Sequence, residues 1–183
     1  MAALPNSPLV AAEEYLNSTY RPDKEYVDGI LIERSMPSIA HSLLCMILIE
    51  YLSPFRKALG FLALPEVRTR IVERARYRIP NLLICPAPQP AGKVITAVPW
   101  AAIEIQSPED KAREQWKRFS DYAAIGTPHM ILLDPEESLA FRFTGAALTQ
   151  TVFTHMDLPT GRMPFDTREL FERLSVELGS GRD

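Results

Sequence analysis

Only two cysteines, Cys45 and Cys85, and three histidines occur in the chain of 183 residues, and none stands at a spacing by which Cys and His hold zinc. Zinc chemistry is thereby set aside, and the two thiols, both in apolar stretches, read as reduced and buried. Positive charge is not in excess: Lys and Arg number 20 against 23 Asp and Glu, for a net charge of −3 and a pI of about 5.7. The surface as a whole does not attract a polyanion, so any nucleic-acid footprint must be a local patch. The start MAALPNSPLVAAEEYL lacks a basic segment followed by a long apolar run, and no uninterrupted stretch of about 18 apolar residues is read in the chain. A cytoplasmic protein with no membrane segment is expected. Internal repeats and low-complexity segments are absent too. Hydrophobic residues at 46% and charged residues at 23% are ordinary for a globular protein and give no sign of disorder. The length favours one domain over 1–183, with a core at about 11–155 and a tail at 156–183.

Residues 11–17 suggest a short helix, and KEYVDGILIER two short strands about the turn pair Asp28-Gly29. From Ser38 to about Leu52, Ile39, Leu43, Leu44, Ile47, Leu48 and Tyr51 recur at helical spacing. Ser53-Pro54 ends that helix and starts a second, which Gly60 closes. One long strand to about Val72, an arginine-rich turn and a strand at Asn81–Cys85 are expected next, Pro80 being tolerable only at a strand's start. After a loop rich in proline comes a strand at about Val98–Gln106. A helix follows, capped by Ser107, with Asp110 in near capping-box position, and it runs to about Ala124. HMILLD is a strand, SLAFRFT and ALTQTVFTH a hairpin, and Asp166–Leu178 a terminal amphipathic helix. The core order is helix, three strands, helix, strand.

Within this order the stretch WAAIEIQSPED sets Glu104 and Gln106 among alanines and isoleucines. Strand alternation points both to one face, and a desolvated carboxylate costs several kcal/mol unless something compensates. Hydrolysis of a phosphodiester needs oxygen ligands for a hard cation and a group that positions water, and neighbouring strands supply both. Arg68, Arg70, Arg74, Arg76 and Arg78 form a basic run in which Arg68 and Arg70 share a strand face. Arginine's planar fork suits phosphate, so these two are candidate nucleic-acid contacts.

The pattern resembles the PD-(D/E)xK nuclease superfamily, and more narrowly the restriction endonuclease family of the Uma type. Carrying the resemblance are EEYL at 13–16, EYVDG at 25–29, His41 at the head of the long helix, and RIPNLLI at 78–84. EIQSP at 104–108 and RFSDYAAIGTPHMILLDP at 118–135 complete it. The resemblance implies an α/β fold, a restriction-endonuclease-like αβββαβ core with a mixed central sheet and added hairpins. It implies Mg²⁺- or Mn²⁺-dependent hydrolysis of DNA phosphodiesters, and a homodimer. Glu104 would be the chief metal ligand and Asn81 a weak, neutral one, because Asn81 stands where the family has aspartate. Glu25 and His41 would line the site, Lys111 or Arg118 would hold phosphate, and Gln106 would orient the attacking water. Arg118 replaces the family's lysine and stays protonated, so it cannot act as a base.

Structural readings stand beside these. Glu104 is also readable, as the lesser alternative, as the partner of Arg118 or Arg68; Asn81 reads also as a strand-end cap, Gln106 as a satisfied polar residue and His41 as a core histidine. Glu25 reads also as a solvated hairpin residue and the arginine run as a solvated turn. Tyr122, Trp100 and Trp116 read as packing, and His129 and His155 as structural. A nucleic-acid-binding or partner-binding module that has lost the reaction is the alternative function.

Overall fold

Asp28 and Gly29, with φ of 51° and 90°, provide the two positive-φ positions of a tight hairpin turn. They join β1 (Glu25–Val27) to β2 (Ile30–Ile32) in antiparallel register. The computed structural model describes residues 9–179; the two ends, and with them the first half of the stretch read as free of an export signal, lie outside the described residues. Before the hairpin, α1 (Ala12–Asn17) buries Tyr15 against Tyr26 and Tyr77.

After the hairpin comes α2 (Ile39–Leu52), with Ser38 accepting the His41 N–H at its start as capping chemistry dictates. A 3-10 turn at Ser53–Phe55 leads to α3 (Arg56–Leu59), and Gly60 ends it in the left-handed region at φ 62°. By length and composition alone the combined run Ile39–Leu59 would suffice to cross a membrane. Here Leu44, Ile47, Leu48 and Leu52 fill the protein core instead.

The single long strand expected up to Val72 is two. β3 (Phe61–Pro65) and β4 (Arg68–Val72) belong to different sheets. Pro65 has no N–H to continue a ladder, and Glu66 turns the chain at φ 49°. β4 pairs with β5 (Arg76–Arg78), which the sequence reading took as part of a turn. With β1, β2 and β7 (Val94–Ile95) these strands form a five-stranded sheet in the order β2-β1-β5-β4-β7.

The central sheet adds β6 (Leu82–Pro86), β8 (Ala101–Ile105), β9 (His129–Asp134), β10 (Leu139–Phe143) and β11 (Leu148–Gln150) to β3, in the order β11-β10-β9-β8-β6-β3. β8 and β9 are parallel and the other pairs antiparallel, so the sheet is mixed as expected. α4 (Ala112–Ala124) is the crossover between the parallel pair. Its start lies later than the Ser107 cap predicts. Asp110 does accept the Ser107 N–H at 3.0 Å, but the same carboxylate takes Ser35 and Gln115, and the backbone turns helical only after Lys111.

The order α2, β3, β6, β8, α4, β9 is the anticipated αβββαβ core. A second, unforeseen hairpin of β12 (His155–Leu158) and β13 (Gly161–Pro164) precedes α5 (Thr167–Glu177), whose N-terminus Asp166 caps. Ala101, Ile103 and Ile105 of β8 pack with α2 and α5, whereas Ala102 packs with Phe119 and Tyr122 of α4. Alternation therefore gives Glu104 to the α4 side.

Candidate functional site

A cleft of about 320 Å³ opens where the N-terminal end of β6 meets the C-terminal end of β8, and Glu104, Asn81, His41 and Arg118 all line it. The register pairs Leu82 with Ile103, so Asn81 enters β6 one step on, beside Glu104. Its Oδ1 accepts the Ile105 N–H at 2.8 Å, which stitches the two strand ends together. The cap-like reading of Asn81 and its place at the cleft are thus both realised.

Glu104 is 2% exposed. Tyr122 donates to its Oε1 at 2.6 Å, from a ring that is fully buried. No cationic side chain of the described residues comes within ion-pair distance of either Glu104 oxygen; Arg118 reaches Glu25 at 3.5 Å and Asp110 at 4.0 Å instead. Burial pushes the Glu104 carboxyl above its usual range, against the Arg118 charge and the Tyr122 hydrogen bond. Burial and the Glu104 charge raise Tyr122 in turn, so its phenol stays protonated as the donor. Arg118 is held charged: burial opposes, and the Glu104 and Glu25 carboxylates outweigh it. Burial, with the Arg34 charge, lowers His41 toward its neutral form.

The other residues singled out from sequence fall elsewhere. Glu25 is no solvated hairpin residue: it is 0% exposed, bonded to Arg78 at 2.7 Å and to the Ile79 N–H at 3.1 Å, and forms no part of the cleft wall. Gln106 does not line the cleft either, because β8 ends at Ile105 and the chain turns to present Ser107. Lys111 is exposed and lines a smaller depression of about 200 Å³ with Glu25 and Arg78, and Arg118 forms the wall between the two.

Arg68 serves a different end from phosphate contact. It grips Asp23 through Nε at 2.8 Å and Nη2 at 2.6 Å, donates to the carbonyls of Tyr15 and Ser18, and lies 4.2 Å over the Tyr15 ring. Four of its bonding directions are consumed, which ties the α1 segment to the smaller sheet. Arg70, across from Tyr77, stays half-buried outside the cleft.

Sequence reasoning missed three cleft features. Tyr122 was taken as packing, although an aromatic hydroxyl in a buried helix needs a partner. Asp110 was seen as a capping residue only, and Arg34 not at all; both line the cleft. With Asp23 and Glu66 the wall holds four carboxylates against the guanidiniums of Arg34 and Arg118. Asp23 is neutralised by Arg68, Glu66 is bonded by Arg34 and Asp110 stands 4.0 Å from Arg118, which leaves Glu104 as the wall carboxylate with no cationic side chain within 4.0 Å among the described residues.

For a metal, the donor chemistry is hard oxygen throughout. No group of three or more His, Cys, Asp or Glu able to hold an ion is found among the described residues. Mg²⁺ keeps several waters and is commonly bound by one or two carboxylates plus substrate phosphate. Glu104 with the second lone pair of Asn81 Oδ1 fits such a weak, hydrated site, and does not form a preformed cage.

A mixed sheet in αβββαβ order, with a buried carboxylate at the meeting of its second and third strands, defines the class as nuclease-like in fold. The family described as "Putative restriction endonuclease", Uma2, matches residues 12–170, and the chain belongs to that family. Among solved structures, a putative nuclease belonging to DUF820 from Anabaena variabilis is similar at 20% identity and a TM-score of 0.74, over 90% of this chain and 99% of the other. No curated protein matches.

Proposed function

We propose that this protein hydrolyses DNA phosphodiester bonds in the Glu104 cleft with Mg²⁺ or Mn²⁺. One observation carries the reading: a buried carboxylate faces a cleft with no cation at bonding distance, held in place by a phenol on its other oxygen. An uncompensated buried charge is costly, and a dication beside it removes that cost. A bound ion would supply charge neutralisation at phosphate and an activated water. Glu104 and Asn81 are the residues to hold it. Tyr122 fixes the direction of the carboxylate, and Arg118, always charged, binds phosphate and accepts no proton. His41 lines the floor beside Asn81.

The test is metal-dependent nicking of supercoiled plasmid by purified protein. Wild type should cut with Mn²⁺ or Mg²⁺ and not in chelator, and Glu104→Ala should lose the activity. Asn81→Asp, which restores a second negative ligand, should raise activity and metal affinity. A second reading, binding of nucleic acid without cutting, is favoured by the neutral Asn81 whose Oδ1 already accepts from Ile105. Salt-sensitive DNA binding with no cleavage by wild type or Asn81→Asp selects that reading over hydrolysis.

A further inference from the structure

We propose that Arg34 is a phosphate-binding residue of the cleft, forming with Arg118 a two-guanidinium clamp for the non-bridging oxygens of a phosphodiester. The proposal rests on the phosphodiester reading of the cleft and adds a residue to it. Arg34 comes from the segment between β2 and α2, Arg118 from α4, and the two enter the cavity that holds Glu104 from different elements. Arg34's side chain is 14% exposed and its one bond within the described residues runs from Nη2 to Glu66 Oε1 at 3.0 Å. Guanidinium has five N–H donors in a fixed fork. Nε and Nη1 have no hydrogen-bond partner among the described residues, and the residue lines the cleft. Arg118 makes no hydrogen bond among the described residues, its carboxylates standing at 3.5 and 4.0 Å.

Pairing does not account for Arg34's burial. Glu66 is 54% exposed, and a pair so open to water contributes little to stability. A guanidinium held inward with two free donor nitrogens suits instead a planar, bidentate grip on a tetrahedral oxyanion. Arg34 lines the same cleft as His41 and Glu104, and its charge is felt at both. Glu66 is then a competitor: it holds Arg34 in the absence of substrate, and phosphate displaces it.

The experiment is fluorescence anisotropy with a fluorescein-labelled DNA duplex and an RNA of the same sequence, at several salt concentrations, in EDTA and in Ca²⁺. Arg34→Ala should weaken binding about tenfold and lower the salt slope by about one unit. Arg34→Lys should keep the slope and recover part of the affinity, having charge without the fork. Glu66→Gln should tighten binding, because it frees the fork and removes a negative charge. Arg162→Ala, on the far hairpin with a side chain 68% exposed, controls for general surface charge and should change nothing. If Arg34→Ala and Glu66→Gln alter only the melting temperature and leave affinity and slope at wild-type values, the clamp is wrong and the proposed function stands. If wild type binds neither nucleic acid in either buffer, both fall.

Discussion

Replacing Arg78 by Met tests whether the fold depends on a deeply buried charge network. Arg78 sits on β5 with a side chain 3% exposed, and its Nη1 and Nε each lie 2.7 Å from a carboxylate, those of Glu25 and Asp121. Those partners are 0% and 8% exposed; Asp121 keeps Arg76 at 2.7 Å, so the substitution leaves Glu25 as the buried carboxylate without a bonded counter-charge, its next cation being Arg118 at 3.5 Å. Removing one partner of a buried pair costs about 3–5 kcal/mol, far more than the pair's net contribution. For a chain of this size about 1 kcal/mol moves the melting temperature by roughly 2–4 °C, so a drop of roughly 6–20 °C is expected. Urea denaturation at neutral pH should give the same loss in free energy. The Arg162–Asp157 pair of the β12–β13 hairpin, exposed at 68% and 64%, is the contrast: Arg162→Ala should cost about 1 kcal/mol or less. A loss below about 1 kcal/mol for Arg78→Met would refute the claim that the buried Glu25 depends on Arg78 for its counter-charge. The site would feel the change, because Asp121 adjoins Tyr122 on α4 and the same Glu25 meets Arg118 at 3.5 Å.

Tyr122→Phe removes the 2.6 Å bond that aims Glu104, and a hydrogen bond to a charged group contributes about 1.5–3 kcal/mol. Calorimetry should show Mn²⁺ affinity reduced at least about tenfold, and unchanged affinity would deny the tyrosine that positioning role. Burial pushes the Cys45 thiol up to about 11 and Cys85 up to about 12, so neither forms appreciable thiolate at pH 8. A colorimetric thiol reagent should react slowly with native protein, faster only as the pH nears those values, and with both thiols at once in urea; rapid native labelling would contradict the burial. Gly29→Ala places a side chain at φ 90° and should cost about 1 kcal/mol, read from the urea midpoint, through strain and not through the 3.0 Å approach to the exposed Leu9.

Several parts of this protein are written in short stretches of sequence. Asp28-Gly29 specifies its hairpin, Ser38 and Gly60 bracket the α2 region, and Asp166 starts the last helix, because turn and cap chemistry acts within a few residues. Apolar spacing over 39–52 and the run HMILLD gave elements whose limits the structure keeps nearly unchanged. Together these sufficed for the αβββαβ order, and the family resemblance brought seven candidates forward, of which Glu25, Gln106 and Lys111 lie outside the cleft and Glu104, Asn81, His41 and Arg118 remain. All four line one cleft.

What local pattern could not decide was which distant charges meet. Glu25 looked solvated beside a turn, and became buried because β5 delivers Arg78 to it across 53 residues. Arg68 looked free, and is consumed because the loop after α1 brings Asp23 back across 45 residues. The break at Pro65-Glu66 divides what reads as one strand between two sheets, since either half alone has acceptable strand composition. Arg34 carries no periodic signal and is placed by the approach of a loop to the sheet's end. Turn geometry and hydrophobic spacing are properties of neighbours along the chain. The counter-charge of a buried group depends on how sheets and helices close around it, and that is settled only when the whole chain is folded.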